Sequence, residues 1–329
     1  MSEGLRNRVN SIRPWFHSIR LPNGIVTPGG GQLPYLEGAA DIYFGMGITG
    51  LSVLDVGAWD GFFSFEAERR GAADVLAVDQ YVWRAGGPGN RAAFDLCREV
   101  LDSHVKDKII DVPRTTKENV GEFDIVLFNG IVYHILDPIH ALINMSKIAR
   151  EVLTVETWID NIEVPRAVMN FFPAEEMPLG HPQNGWGPNS LLMHALLKRI
   201  GFETVLEWPT PTHESQRSIF LGFKPGHRFG SYVKQHIDKA QPRLVGTPPD
   251  YLRTIERLIT EREAVRNELE AVRSDRNVIR REMESARSEI ASVRLDLDDA
   301  RRNCDALRQS TSWRLTKPLR MIRNGLSHR

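Results

Sequence analysis

SVLDVGAWDGFFSFEAERRGAADVLAVDQ, residues 52–80, decides the fold. A short apolar run, Ser52–Val56, meets a glycine turn, and a helix-like stretch over about 61–70 follows it. A second apolar run, Val75–Val78, then ends on an acid, Asp79. Strand, glycine turn, helix and strand make a βαβ unit, the building block of a doubly wound α/β sheet.

The same alternation continues on the C-terminal side. Further strands are predicted at Lys108–Val112, Ile125–Phe128, Val152–Glu156, Thr204–Trp208 and Ile219–Phe223, with helices near 91–102, 137–149 and 189–200. No helix separates the last two strands, so they close the sheet as an antiparallel hairpin. The expected fold is a Rossmann-like, seven-stranded α/β sheet with a terminal hairpin, followed by a long C-terminal coiled coil. Residues 1–50, rich in Gly, Pro and aromatics, read as an irregular leader or lid. Residues 51–224 are expected to form the α/β domain, and 225–250 read as a linker.

From residue 251 the period changes. Apolar residues recur in alternating steps of four and three from Tyr251 through Leu269, Met283 and Leu297 to Leu307, with Arg262 and Arg276 as the polar insertions. Such a heptad stripe, 251–308, buries itself against a partner helix, either another copy of the chain or a docking protein. A lone charged helix is the alternative, because the flanks are dense in Arg and Glu.

The turn after the first strand carries the chemistry. Gly57 and Gly61 allow a tight bend and a close backbone approach to a ligand. Asp79 follows Gly57 by 22 residues, a spacing at which a carboxylate reaches ribose hydroxyls. Asp55 and Asp60 put negative charge beside the bend, where a pyrophosphate is repelled and the ammonium of a methionine moiety is attracted. Trp59 stands where a dinucleotide site wants glycine. These features favour S-adenosyl-L-methionine over NAD, with Asp55, Gly57, Trp59, Gly61 and Asp79 as cofactor residues.

Two motifs strengthen that choice by resemblance. VLDVGAWDG resembles the first motif of class I S-adenosylmethionine-dependent methyltransferases, and FDIVLFNGIVYHILDP, residues 123–138, resembles their fourth-strand motif. The resemblance implies that Asp111 faces the adenine amine and that Asn129 lines the pocket floor. PWFHSIRLPNGIVTPGG with GIVYHILDP is similar to the branch containing the tRNA wobble-uridine carboxymethyl-transferring enzymes. It implies Tyr133 against the cofactor or the transferred group, and Arg217 as a match to a site arginine. The leader lysine and tryptophan of those enzymes have no counterpart here, and Asn129 replaces their methionine.

His134, just beyond the fourth strand, is the first candidate for a base that deprotonates a hydroxyl acceptor, with Tyr133 beside it. His17 and His181 are second candidates for the base and, with Trp186 and Arg217, are expected to contact the acceptor. His181 and Trp186 lie in a Pro- and Gly-rich loop, 171–189, that reads as a substrate lid. Glu175, Glu176 and His181 fit no defined metal spacing, so no metal is expected.

The tail, residues 309–329, mixes Trp313, Leu315 and Ile322 with Arg314, Lys317 and Arg320. Such a segment suits the headgroup region of an anionic membrane, or else is a solvated tail. TSWRLTKPLR is similar to tails of bacterial surface-polysaccharide glycosyltransferases and associated enzymes. With 42 basic and 42 acidic residues, the chain has no global field for nucleic acid. Cys97 and Cys304 fit no disulfide framework, and no apolar run reaches the roughly 18 residues that span a bilayer. The N-terminus carries no secretory signal, so a cytoplasmic place, peripheral to the inner membrane, is expected.

The leading reading is an O-methyltransferase acting on a sugar of a surface polysaccharide or glycolipid. The alternatives are tRNA wobble-uridine modification and an inactive scaffold that senses the cofactor.

Overall fold

The computed structural model describes residues 2–30, 32–85, 91–173, 185–210, 216–243 and 248–311. The chain divides into two compact units, Met1–Pro248 and Pro249–Arg329.

The leader is not irregular, which corrects the expectation from its composition. It holds helix α1 (Ser2–Ser11), a small ribbon of β1 (Arg20–Leu21) with β2 (Ile25–Val26), and helix α2 (Leu33–Phe44). α2 forms because Leu36, Ala39, Ala40, Tyr43 and Phe44 repeat at helical spacing and are all buried. Pro34 sits in its first turn, where a missing N–H costs nothing. Gly and Pro flanking this helix hid a stripe that the spacing alone carries.

Six of the seven expected strands form where predicted, and a displaced seventh completes the single sheet. They are β3 (Ser52–Val56), β4 (Asp74–Val78), β5 (Lys106–Lys108), β6 (Phe123–Asn129), β7 (Ala149–Trp158), β10 (Thr204–Pro209) and β11 (Arg217–Phe223). The order is β10-β11-β7-β6-β3-β4-β5, with β11 antiparallel to both neighbours and the others parallel. The central runs are apolar on both faces, as parallel strands covered by helices require. Val53 and Leu54, both 0% exposed, enter opposite cores. One core takes α2, α3 (Phe62–Arg69) and α4 (Arg91–Val100). The other takes α6 (Pro138–Ile148) and α7 (Ser190–Arg199). A four-residue helix, α5 (Lys117–Val120), precedes β6.

β5 lies earlier than expected. Residues 109–112 leave the sheet because Pro113 lacks a donor and fixes a 3-10 turn over Val112–Arg114. The predicted lid loop is bounded by a second ribbon, β8 (Met169–Phe171) against β9 (Trp186–Pro188).

Residues 225–243, expected as linker, belong to the first unit. α8 (Gly230–Gln235) and a 3-10 turn, Ile237–Ala240, follow β11. Phe229 is buried and Tyr232 packs on the core. Arg243 N donates to Ser190 Oγ at 2.7 Å, and its guanidinium donates to Ser218 Oγ at 2.8 Å. The second unit is dominated by one helix, α9 (Pro248–Gln309), 62 residues long. Among the described residues no helix is long and apolar enough to cross a membrane.

Candidate active site

In an open α/β sheet the ligand crevice opens at the carboxyl ends of the strands, where the chain direction switches. Here that point lies between β3, whose chain proceeds to β4, and β6, whose chain proceeds to β7. Most of the described site candidates sit on the loops leaving this edge.

The turn after β3 is pinned to the end of β4. Gly57 N and Ala58 N both donate to Val78 O, at 2.8 and 3.2 Å. Gly57 has φ +75°, and a Cβ there would stand 3.0 Å from Ile131 Cδ1. Trp59 also has positive φ, 52°. Its N–H donates to Asp79 Oδ2 at 3.1 Å, while Trp83 Nε1 donates to its carbonyl at 2.8 Å. Gly61 starts α3 at φ +88°, and a Cβ would lie 2.7 Å from the Phe65 and Phe94 rings. Glycine is therefore required at 61 by both backbone and packing.

Four carboxylates belong to this region, and each has a different task. Asp55, at the end of β3, accepts from Ser64 Oγ at 2.6 Å, and burial pushes its pKa up to about 6. Asp60 is fully buried. One of its oxygens accepts from Phe16 N at 2.7 Å and His17 N at 2.8 Å, so the leader is strapped onto the glycine turn. Burial lifts Asp60 to about 6 as well. Asp79 accepts from Val82 N at 2.8 Å, and burial raises it too. Asp111 sits in the turn after β5, with Oδ1 buried and unpartnered.

β6 ends at Asn129, whose Oδ1 accepts from Thr154 Oγ1 at 3.1 Å and whose Nδ2 is buried without a partner. Next to it stands a cluster that the sequence only half revealed. Arg217 donates through Nε and Nη2 to both oxygens of Glu156, the second at 2.6 Å. Nη2 also donates to the Tyr133 hydroxyl at 2.5 Å, and the guanidinium lies 4.8 Å over the Tyr133 ring. Burial alone would lower the Arg217 pKa, but the Glu156 charge overrides it and raises the value. Burial and Glu156 lift Tyr133 to about 12, so its phenol stays protonated. Tyr35 of α2 feels the same group: burial, then the Glu156 charge, raises its pKa.

Glu156 and Tyr35 were missed in the sequence. Glu156 had a signal, an acid inside an otherwise apolar strand, but it was taken only as a strand boundary. Tyr35 carried none.

The remaining candidates separate. His134 is exposed at the end of the 3-10 turn Val132–His134, its ring 4.2 Å from that of Tyr133. His17 is buried beside Phe62 and Phe63, and burial drops its pKa to about 3. That value corrects its candidacy as a base near neutral pH, although Nδ1 remains buried and unpartnered. Trp186 stands in β9 with its ring against Phe171 and its Nε1 unpartnered. Gly185 N donates to Tyr133 O at 2.7 Å, which ties that edge of the predicted lid to the site. His181 lies outside the described residues.

Neither a family model nor a curated protein matches the sequence. Solved structures do match. The N-terminal domain of EvdMO1, crystallised in the presence of SAH and D-fucose, aligns with a TM-score of 0.52 at 18% identity, over 68% of this chain and 97% of that one. The two share a Rossmann-like α/β fold. The same domain with SAH bound gives the same values. Magnesium protoporphyrin IX methyltransferase from Synechocystis PCC 6803 is more distant, with a TM-score of 0.44 at 14% identity over 58% of this chain and 82% of that one.

Proposed function

We propose that the chain is an S-adenosylmethionine-dependent methyltransferase that O-methylates a sugar of a bacterial surface polysaccharide or glycolipid. The observation that carries the cofactor half is the set of buried polar atoms left without partners around the acidic glycine turn: Trp59 Nε1, Asp60 Oδ1, Asp111 Oδ1 and Asn129 Nδ2. Each such atom costs about 1–3 kcal/mol until something bonds it. In this reading Asp55 and Asp60 face the ammonium of the methionine end and Asp79 accepts from the ribose hydroxyls. Asp111 accepts from the adenine amine, and Asn129 lines the pocket. A pyrophosphate would meet the same carboxylates and be repelled.

When bound, the cofactor supplies a methyl group activated on a sulfonium. The chain supplies placement and proton removal. The neutral Tyr133 phenol, oriented by Arg217, offers its O–H to an acceptor oxygen. His134, exposed beside it, takes the hydroxyl proton. Trp186 offers a ring face suited to stacking on a sugar.

Two observations support the sugar. The EvdMO1 domain of like fold was crystallised in the presence of D-fucose, and the C-terminal segment resembles tails of surface-polysaccharide enzymes. That segment, beyond residue 311, lies outside the described residues; its basic and aromatic residues are proposed to touch anionic lipid of the inner membrane. Arg217 counts against the tRNA alternative, because its charge is already compensated by the bidentate bond to Glu156, which leaves it a weaker partner for a carboxylated cofactor.

Calorimetry with S-adenosylmethionine, its carboxylated form and NAD tests the cofactor. Binding of the plain form alone is expected, and NAD binding alone would overturn the reading. Methyl transfer to sugar nucleotides or lipid-linked glycans tests the acceptor. In that assay His134→Ala should cut turnover about a hundredfold or more with cofactor affinity intact, and wild-type turnover would remove His134 as base.

A further inference from the structure

α9 carries an apolar stripe with nothing against it among the described residues. Val265, Val272, Ile279, Met283, Ile290 and Val293 are each more than half exposed. In heptad terms Leu269, Met283, Ile290 and Leu297 fall at a, and Val265, Val272, Ile279 and Val293 at d. The flanks of that stripe are sorted by charge. Arginine fills the e position of seven successive heptads, at every seventh residue from Arg266 to Arg308. The g positions Glu268, Asp275, Glu282, Glu289 and Asp296 are all acidic.

We infer that α9 pairs with α9 of a second copy of this chain, parallel and in register. In a parallel pair each g side chain faces the e side chain five residues further along the other helix. The contacts are then Glu268 with Arg273, Asp275 with Arg280, Glu282 with Arg287, Glu289 with Arg294 and Asp296 with Arg301, each made twice. In an antiparallel pair e meets e and g meets g, which sets arginine against arginine and acid against acid along the whole seam. The charge pattern therefore selects the orientation.

Register and strand number follow from the a positions. A slip by one heptad would lay Arg276 against Leu269 or Met283. In register, the two Arg276 side chains share one layer, and each lies beside the other helix's Asp275. Two strands leave an a-position arginine room to carry its head out to water, and three or more would enclose it.

The pattern also selects the partner. A basic flank and a flank that is acidic except at Asn303 complement themselves, whereas an anionic lipid or nucleic-acid surface calls for basic residues on both flanks. Within the single helix Arg301 and Arg308 rest on Asp298 and Asp305, at 3.8 and 3.7 Å. These are exposed ion pairs of small worth, free to exchange. The inference does not depend on the cofactor reading.

The a position also holds Cys304, an exposed free thiol, whereas Cys97 is buried. A parallel pair in register puts the two Cys304 residues in one layer, within reach of a disulfide. On the full-length protein, light scattering should give twice the mass of the chain. The mass of one chain, or of three or more, would overturn the inference. Mild oxidation with diamide should yield a species of doubled mass on a non-reducing gel, lost in Cys304→Ser and kept in Cys97→Ser. A dimer that forms no such link would overturn the parallel register.

The triple variant R280E/R287E/R294E should weaken self-association on the order of a thousandfold, with six attractive contacts made repulsive. Mixing it with D275R/E282R/E289R should restore pairing. A dissociation constant unchanged in the first variant would remove the charge pattern as the cause.

Discussion

Burial around the glycine turn holds Asp55 and Asp60 near pKa 6, against an ordinary 3.8. Both keep their protons more tightly folded than unfolded. Their contribution to stability is thus full below about pH 4 and is lost as pH rises to about 6. An ammonium reverses the preference, because it binds the ionised carboxylates. Affinity for S-adenosylmethionine is therefore expected to be flat above about pH 7 and roughly a hundredfold weaker at pH 5, where each carboxylate is about a tenth ionised, with proton release on binding there. Calorimetry in buffers of different ionisation enthalpy measures both, and a flat affinity from pH 5 to 8 would take the ammonium off these residues. Gly61 makes a separate prediction. Gly61→Ala forces a Cβ against Phe65 and Phe94 at a positive φ, at a cost of about 2–4 kcal/mol read by denaturant unfolding. That Asp55, Gly57, Gly61 and Asp79 gather at one turn was legible because they lie within 25 residues of sequence. The Glu156–Arg217 bond joins residues 61 apart on neighbouring strands, and only the β7–β11 register brings Thr157 and Trp158 opposite Ser218 and Arg217.

Elements were legible where a repeating stripe faces a core, and obscure where composition or charge disguised the stripe. The helices after β3 and β6 appeared at the expected places because their apolar spacing is clean. β5 did not, since Lys106–Lys108 is an edge strand without apolar alternation. Its Asp107 is held instead by Arg91 at 2.6 Å and by Arg98. Charge on an edge strand also guards it against pairing with another chain. The leader shows the opposite case, a segment whose two helices were masked by glycine and proline. Trp15, Ile19 and α2 anchor it in the core, and Asp60 straps down the stretch around Phe16 by accepting two backbone N–H groups. Asp60→Ala strands both donors and is expected to loosen the leader before the sheet. Hydrogen exchange should rise at residues 15–18 while β3 and β6 stay protected, and cofactor affinity should fall at least tenfold. Uniform protection in that variant would mean that the leader is held by its apolar contacts alone.

At the scale of the whole chain, the division at Pro248 separates two kinds of stability. The first unit closes two hydrophobic cores on either side of one sheet from its own residues, and the segment up to Arg243 is fastened to Ser190 and Ser218 within it. None of the described side chains of α9 enters those cores, so the unit should fold without it. The heptad series was plain in the sequence, since periodicity needs no tertiary information, but periodicity alone does not name a partner. That information lies in the sorted flanks, where arginine runs along one side and acid along the other. A chain ending at Pro248 is therefore expected to melt within about 2 °C of the full-length protein and to bind S-adenosylmethionine with unchanged affinity, while its mass in solution falls to that of one chain. Turnover on a small soluble acceptor should be equal per site in the two forms, because the residues proposed to hold the cofactor all lie in the first unit. If truncation instead abolishes cofactor binding at an unchanged melting temperature, the crevice needs the second copy, and the helix pair would be part of the catalytic assembly instead of a tether.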